Sequence, residues 1–147
     1  MGAQILKMIK VVLDTNIFIS AFLWQKSVKE ILNLAWQKKI QICASQEILT
    51  EFTRVLKYPK FSQKLKSIGK TPSEIINEFL EIIKLYPSIK LNAAILKEDP
   101  SDVKFLSCAF SCGASFIISG DKHLLSLKKF RNIPILSPQK FLQILKK

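Results

Sequence analysis

The acidic side chains of this 147-residue chain are few and unevenly placed. Four of them follow apolar runs or lie at the start of a helical pattern, namely Asp14, Asp99, Asp102 and Asp121, and a fifth, Glu51, lies on an amphipathic helix. Carboxylates that lie close together repel one another and raise each other's pKa, and a divalent cation relieves that repulsion. Hard oxygen ligands favour Mg²⁺ or Mn²⁺. Because such an ion activates water and stabilises charge on a phosphate, the pattern predicts a metal-dependent nuclease.

Each of these acids also has a structural explanation when it is taken alone. Asp14 and Asp102 fit helix N-caps, Asp99 fits a turn, Asp121 fits either, and Glu51 fits a solvated helix face. Capping does not explain why a lysine-rich chain concentrates its few carboxylates at one place. The functional interpretation is therefore favoured if the fold brings them together.

The elements that must position these acids are short apolar strands alternating with amphipathic helices. Strands are predicted at residues 9–13, 40–44, 116–119 and 133–136, with a weaker one at 89–91. Helices are predicted at residues 15–23, 28–35, 46–56, 61–68, 72–86, 103–112 and 121–128, and from 138 onward. Because the strands show no polar alternation, they predict a parallel sheet covered on both faces. We expect an α/β fold: a three-layer α/β/α sandwich with a mainly parallel sheet of about five strands.

The same reading predicts one domain over residues 1–147, with residues 1–8 as an extension that the fold does not need. Ligands of open parallel sheets bind outside the carboxyl ends of the strands. Asp14 and Asp121 each come just after a predicted strand, and Asp102 begins a helix. Glu51 borders the buried face of its helix beside Phe52. We therefore expect these four acids to converge at the C-terminal edge of the sheet.

The charge balance favours a polyanionic partner. Lysine and arginine total 23 against 11 acids, which gives a net charge of +12. Nucleic acid is the first candidate, and the alternative is a solvated lysine-rich surface without a specific partner. The basic residues are scattered along the chain, which makes a membrane surface a poorer candidate. No apolar run reaches the ~20 residues that span a bilayer, and because the apolar part of the N-terminus is short we expect no secretory signal there.

The three cysteines have no disulfide-framework spacing. Cys108 and Cys112 are four residues apart on a predicted helix, Cys43 lies on a predicted strand, and His123 is the one histidine of the chain. A zinc site built from these four is conceivable, but buried core cysteines are the simpler interpretation. The cysteines predict a reducing compartment, the cytoplasm.

Other α/β proteins with acids at strand ends fit less well. A phosphoacceptor receiver domain needs an aspartate on its third strand, yet none lies between Asp14 and Asp99. A phosphatase with an aspartyl nucleophile needs a second aspartate where this chain has Asn16. The four glycines form neither the G-x-G-x-x-G pattern nor the G-x-x-x-x-G-K pattern of nucleotide-binding loops, so a nucleotide-binding protein of either kind is not indicated.

Three segments resemble the PIN-domain family, in particular the toxins of bacterial and archaeal toxin–antitoxin pairs. They are VVLDTNIFISAF, SQEILTEFTRVL and EDPSDVKFLSCAFSCGASFIISGDKHLL, which spread from about Val11 to Leu125. The resemblance implies that acids at the motif positions bind Mg²⁺ or Mn²⁺ and support cleavage of single-stranded RNA. In this chain they are Asp14, Glu51, Asp102 and Asp121.

The resemblance also implies supporting residues and partners. Thr15 and Ser119 match small hydroxyl positions near the site, Asn16 matches a residue that supports the first aspartate, and Asp99 matches a less central acid. Ser101 stands where many relatives carry a further acid, and His123 is at a variable position and receives no catalytic role. A homodimer and a small antitoxin protein are implied as well. The alternative is a non-catalytic PIN-like module that binds RNA or a partner protein.

Overall fold

The computed structural model describes residues 8–24, 26–91 and 102–146. The expectation about residues 1–8 therefore falls almost wholly outside the described residues. In the described part, the strands are β1 (Ile9–Leu13), β2 (Ile40–Ala44), β3 (Ile83–Leu85), β4 (Phe116–Ile118), β5 (Lys129–Phe130) and β6 (Ile133–Leu136). The α-helices are α1 (Thr15–Leu23), α2 (Lys26–Trp36), α3 (Gln46–Leu56), α4 (Ser62–Ser67), α5 (Pro72–Ile82), α6 (Val103–Cys112), α7 (Lys122–Ser126) and α8 (Pro138–Leu145). None of these helices is both long and apolar enough to cross a membrane.

One sheet organises the molecule, with the strand order β3-β2-β1-β4-β6-β5. All neighbouring pairs are parallel except β5 with β6. In the central strand β1, Val11 lies between Ile42 of β2 and Phe116 of β4. Helices α1, α2, α3 and α5 contact one another, while α6 packs on β1, β2 and β4. The predicted α/β class with a mainly parallel sheet is confirmed.

Local signals set the helix boundaries. Ser45 caps α3 by accepting a hydrogen bond from the backbone N–H of Ile48. Thr71 and Glu74 form a reciprocal capping box at the start of α5. Gly113 ends α6 in the left-handed conformation, with φ of 68°. These predicted starts and stops are confirmed, so the helices carrying the candidate residues begin where the sequence indicates.

The strands differ from the prediction in three places. The helix predicted to reach residue 86 ends at Ile82, and Ile83–Leu85 pairs with β2 as an edge strand. The weak strand predicted at residues 89–91 is wrong, because those residues form no strand. Ile83 fits the apolar period of the helix as well as a strand, so only pairing with β2 decides its conformation. The six strands also include β5, which has two residues and no detectable pattern.

A cluster of phenylalanines holds the helices that follow β1 and β2. Phe52 of α3 stacks on Phe79 of α5, with ring centroids 4.2 Å apart and planes 13° apart. Phe18 of α1 meets both rings edge-on, at 5.8 and 4.5 Å. All three side chains are fully buried. Because Asp14 directly precedes α1 and Glu51 directly precedes Phe52, this cluster fixes the backbone under two of the candidate acids.

Candidate active site

Asp14 joins the C-terminal end of β1 to the start of α1. One carboxylate oxygen, Oδ1, accepts a hydrogen bond from the N–H of Ile17 at 2.8 Å, so Asp14 is the N-cap of α1. The other oxygen, Oδ2, accepts from the Ser119 hydroxyl and from the N–H of Gly120 at 3.3 Å. The side chain is 5% exposed. Capping and a place in the site are therefore compatible roles of one carboxylate.

Burial raises the pKa of Asp14 above its ordinary value. Hydrogen bonds from Ser119, Ile17 and Gly120 lower this pKa in part, and the nearby charge of Asp121 raises it further. A buried carboxylate beside a second acid is an electrostatic cost to the fold at neutral pH. A cation bound between the two would remove that cost.

Asp121 and Asp102 reach the same edge from two other elements. Asp121 is the N-cap of α7, accepting from the N–H of His123 at 2.8 Å, and its own N–H donates to Ser119 Oγ at 2.9 Å. Asp102 occupies the N-cap position of α6 and is 7% exposed. Within the described residues, its side chain accepts no capping hydrogen bond from that helix. The capping explanation therefore holds for Asp121 and fails for Asp102.

Glu51 is turned into the site. Its side chain is 19% exposed. Glu51 Oε1 lies 3.0 Å from Lys104 Nζ of α6 and 3.9 Å from Arg54 of α3, and Oε2 accepts a hydrogen bond from the Thr15 hydroxyl. The solvated-face explanation of Glu51 is therefore wrong. Its carboxylate links three helices, α1, α3 and α6.

The four acids line one cleft of about 160 Å³ at the C-terminal edge of the sheet. Thr15 and Asn16 also line it, and Val55, Phe105 and Leu124 form its apolar walls. Asp99 and Ser101 lie outside the described residues. A larger hollow of about 430 Å³ between α2 and α8 contains one carboxylate, Glu30, and offers no comparable set of donors.

The donor atoms have the chemistry of a magnesium or manganese site, but they are not gathered around one point. Within the described ranges, no three histidine, cysteine, aspartate or glutamate side chains stand close enough together to hold a metal ion as they are. Asp14 is held by Ser119 and backbone N–H groups, and Glu51 by Lys104 and Thr15. The arrangement fits a divalent cation in ligand type, and closing around one requires side-chain movement.

Sequence reasoning missed Lys104, which places a cation beside Glu51. Its side chain is 17% exposed. Its position in the sequence could have indicated this role, because Lys104 is two residues after Asp102, in the first turn of α6 at the end of the helix that faces the cleft. The three cysteines are buried core residues of β2 and α6. Hydrogen bonding with Cys112 and burial both raise the pKa of the Cys43 and Cys108 thiols, which keeps them protonated.

We expect Ser119→Ala to destabilise the protein by about 1–3 kcal/mol, because it removes the hydroxyl that donates to the buried Asp14 carboxylate and accepts from the N–H of Asp121. It should also raise the pKa of Asp14 further. Urea denaturation of the metal-free protein measures the loss. Ser67→Ala is the matched control, since the exposed Ser67 hydroxyl donates only to the carbonyl of Lys64. Equal losses in the two variants would contradict the role of Ser119.

We expect Lys104→Met to destabilise the metal-free protein by about 1–2 kcal/mol, less than the ~3–5 kcal/mol of a fully buried ion pair. Without Lys104, Glu51 keeps the longer, 3.9 Å contact with Arg54 and less of its charge is compensated, so Mn²⁺ should raise the melting temperature more than it does in the wild type. Thermal melts in EDTA and in Mn²⁺ measure both effects. Lys70→Met is the control, because its pair with Glu78 is more exposed and remote from the cleft. An unchanged Mn²⁺ shift would rule out this compensation.

Comparisons with known proteins agree with this architecture. A family model described as PIN domain matches residues 10–123. The chain is 32% identical over 145 residues to an uncharacterized protein of Methanocaldococcus jannaschii, covering 92% of this chain and 90% of that protein. The fold is similar to that of a chain in the crystal structure of VapBC2 from Rickettsia felis bound to a DNA fragment from their promoter. That match has a TM-score of 0.61 and 18% identity, and covers 86% of this chain and 97% of the other.

Proposed function

The chain belongs to the PIN-domain family, and from this premise we propose that it is a Mg²⁺- or Mn²⁺-dependent ribonuclease that cleaves single-stranded RNA. The observation that carries the proposal is the convergence of Asp14, Glu51, Asp102 and Asp121 on one cleft. PIN domains are nucleases in general, and the net charge of +12 suits a polyanionic substrate. We further propose that the protein is the toxin of a toxin–antitoxin pair.

The residues of the cleft divide into ligands and supports. Asp14, Asp102 and Asp121 would hold the cation, with Glu51 as a further ligand or as the base that orients the attacking water. Ser119 holds the Asp14 carboxylate, and Thr15 holds Glu51, while Asn16 and Asp99 are supporting residues that the family resemblance implies. For Glu51 to reach the ion, Lys104 has to release it. We propose that Lys104 then turns toward a substrate phosphate.

A divalent cation in the cleft would supply Lewis-acid stabilisation of the charge that develops on the scissile phosphate, and would lower the pKa of water. The protein's own part is to hold the carboxylates in place. The walls formed by Val55, Phe105 and Leu124 exclude bulk water from one side of the cleft. This lowers the local dielectric and strengthens the electrostatic interactions of the acids.

Incubation of the purified protein with several labelled single-stranded RNAs tests the proposal. Cleavage is expected with Mn²⁺ or Mg²⁺, and none with EDTA. The Asp14→Asn variant should be inactive under every condition. Equal cleavage by the variant, or none by the wild type on any RNA, would overturn the catalytic proposal. Binding without cleavage would instead support the alternative, a non-catalytic RNA-binding or partner-binding module.

The partners follow from the same proposal. The structural neighbour from Rickettsia felis is part of a VapBC2 complex; for this chain we propose a small antitoxin encoded beside it, a homodimeric state and a place in the cytoplasm. Co-expression with the product of the adjacent gene tests the first. A stable complex that suppresses RNA cleavage is expected, and co-purification without suppression would contradict the antitoxin role.

A further inference from the structure

We propose that a surface beside the acidic cleft binds the bases and phosphates of single-stranded RNA and delivers the strand to the cleft. This surface, the aromatic–basic platform, consists of Trp24, Arg54, Tyr58, Lys60, Phe61 and Lys64. The proposal rests on the proposed ribonuclease function for its substrate. It adds the residues that hold that substrate and the manner in which they do so.

Aromatic rings form the base-binding part of the platform. Trp24, which follows α1, is 47% exposed, and Tyr58, which follows α3, is 37% exposed. Phe61 is buried and packs edge-on against Trp24, with ring centroids 5.8 Å apart. Large aromatic side chains at the surface, held in place by a buried ring, are suited to stacking with unpaired bases.

A basic side chain lies close to each of the three rings. Lys64 Nζ lies 5.6 Å from the Trp24 ring, and Lys60 Nζ lies 5.1 Å from the Phe61 ring. The Arg54 guanidinium lies 5.9 Å from the Tyr58 ring and donates a hydrogen bond to its hydroxyl. A nucleotide strand presents bases and phosphates in alternation, and this surface presents rings and cations in the same close pairing.

The segment that contains most of the platform carries positive charges and no negative ones. Residues 52–73 contain six lysine and arginine residues and no acid. This segment therefore supplies half of the net charge of +12 from about one-seventh of the chain. An apolar partner helix would not require such a density of cations. Single-stranded nucleic acid requires both the charge and the rings, so it is the occupant that the chemistry favours.

The platform is continuous with the cleft. Arg54 lies 3.9 Å from Glu51 on its cleft side and contacts Tyr58 on the other. The N–H of Phe61 donates to the carbonyl of Tyr58 at 3.0 Å, and Phe61 then contacts Trp24. Helix α1 begins at the cleft beside Asp14 and ends next to Trp24, about 15 Å away at the helical rise per residue. A strand lying on the platform therefore needs only a few nucleotides to reach the acids.

Binding measured without turnover tests the proposal. A 5′-labelled single-stranded RNA of mixed sequence is titrated with protein in EDTA, and fluorescence anisotropy gives the dissociation constant. Trp24→Ala and Tyr58→Ala should each weaken binding about tenfold. Trp24→Phe should restore most of the loss by returning a ring. Trp36→Ala is the matched control, since Trp36 is also 47% exposed but lies on α2.

The charged residues are tested by salt dependence. Replacing both Lys60 and Lys64 with glutamine should make the slope of log affinity against log salt shallower by about 1.4, because two phosphate contacts are lost. The same double replacement at Lys140 and Lys146 should leave the slope unchanged. Thermal melts of all variants establish that they are folded. A duplex of the same sequence should bind more weakly, because its bases are already stacked.

The outcomes separate this proposal from the ribonuclease proposal. The platform would be overturned, even if the protein cleaves RNA, by platform variants that bind RNA as tightly as the wild type does. It would also be overturned if Trp36→Ala lowered the affinity for RNA as much as the platform replacements do. A wild type that binds no single-stranded RNA, or binds duplex equally well, would overturn it too. Platform-dependent binding by a protein that never cleaves would uphold the platform and overturn the nuclease.

Discussion

Asp14→Asn should reduce metal-dependent RNA cleavage at least a hundredfold while the protein remains folded. The reduction follows because the amide cannot replace a carboxylate as a ligand and cannot balance the charge of a divalent ion. The fold is expected to persist because asparagine caps helices as well as aspartate does, so the bond from the N–H of Ile17 survives. Steady-state cleavage rates and thermal melts of the two proteins measure both effects.

The pH dependence of stability gives the same replacement a second readout. Because burial raises the pKa of Asp14 in the folded state, the folded protein binds this proton more tightly than the unfolded chain does. The stability that Asp14 contributes is present below its ordinary pKa and is lost as pH rises through the raised value. In EDTA, the asparagine variant should therefore gain stability relative to the wild type as pH rises through that range.

Asp14→Ala separates capping from charge. It removes the same charge but also the helix cap, at a cost of about 1 kcal/mol. The alanine variant should thus be less stable than the asparagine variant at every pH, while both are inactive. An asparagine variant that is as destabilised as the alanine variant would show that Asp14 matters to this protein mainly as an ionised partner of Ser119 and Gly120.

Phe52→Ala should cost about 3–5 kcal/mol of unfolding free energy, a large share of the ~5–15 kcal/mol of a typical domain. Phe52 is fully buried, stacks on Phe79 and meets Phe18 edge-on. The cavity left behind would loosen α1 against α3 and so displace Asp14 and Glu51 together. Urea denaturation gives the loss, and cleavage at low temperature should fall even where the protein is still folded.

Two further variants make the Phe52 result specific. Phe52→Leu keeps most of the side-chain volume, so its free energy of unfolding should fall clearly less than that of Phe52→Ala. Phe110→Ala removes a ring of the same size that is 45% exposed, and should cost under about 1 kcal/mol. A Phe52→Ala loss no larger than that of Phe110→Ala would contradict the role of the phenylalanine cluster as the support of the site.

Local chemistry made most of the fold predictable. β1, β2 and β6 are apolar runs with clear ends, and the Thr71 and Glu74 box marks the start of α5 without any tertiary information. The conformation of Ile83, in contrast, cannot be predicted from local sequence. This residue fits both a helical and an extended pattern, and its conformation depends on a pairing with Ile42 that is 41 residues distant in the chain. The two-residue β5 likewise exists through its pairing with β6.

The candidate site was predictable in its members and less so in its contacts. The position of Asp14, Asp102 and Asp121 after strands or at a helix start predicts that they share an edge of the sheet. Nothing in the spacing predicts that Lys104 lies 3.0 Å from Glu51, because that contact joins α6 to α3 across the edge. Charge compensation inside the cleft is a tertiary property, and the sequence pattern records only which residues are available for it.

The claim that the acidic cleft is a divalent-metal site is tested most directly by calorimetric titration of Mn²⁺ into the RNA-free protein. The wild type should bind Mn²⁺ with a saturable heat, and its melting temperature should rise with the concentration of the ion. A variant with both Asp14→Asn and Asp121→Asn should show neither effect while remaining folded. Saturable binding of equal affinity in the variant, or no binding in the wild type, would contradict the assignment of the metal to this cleft.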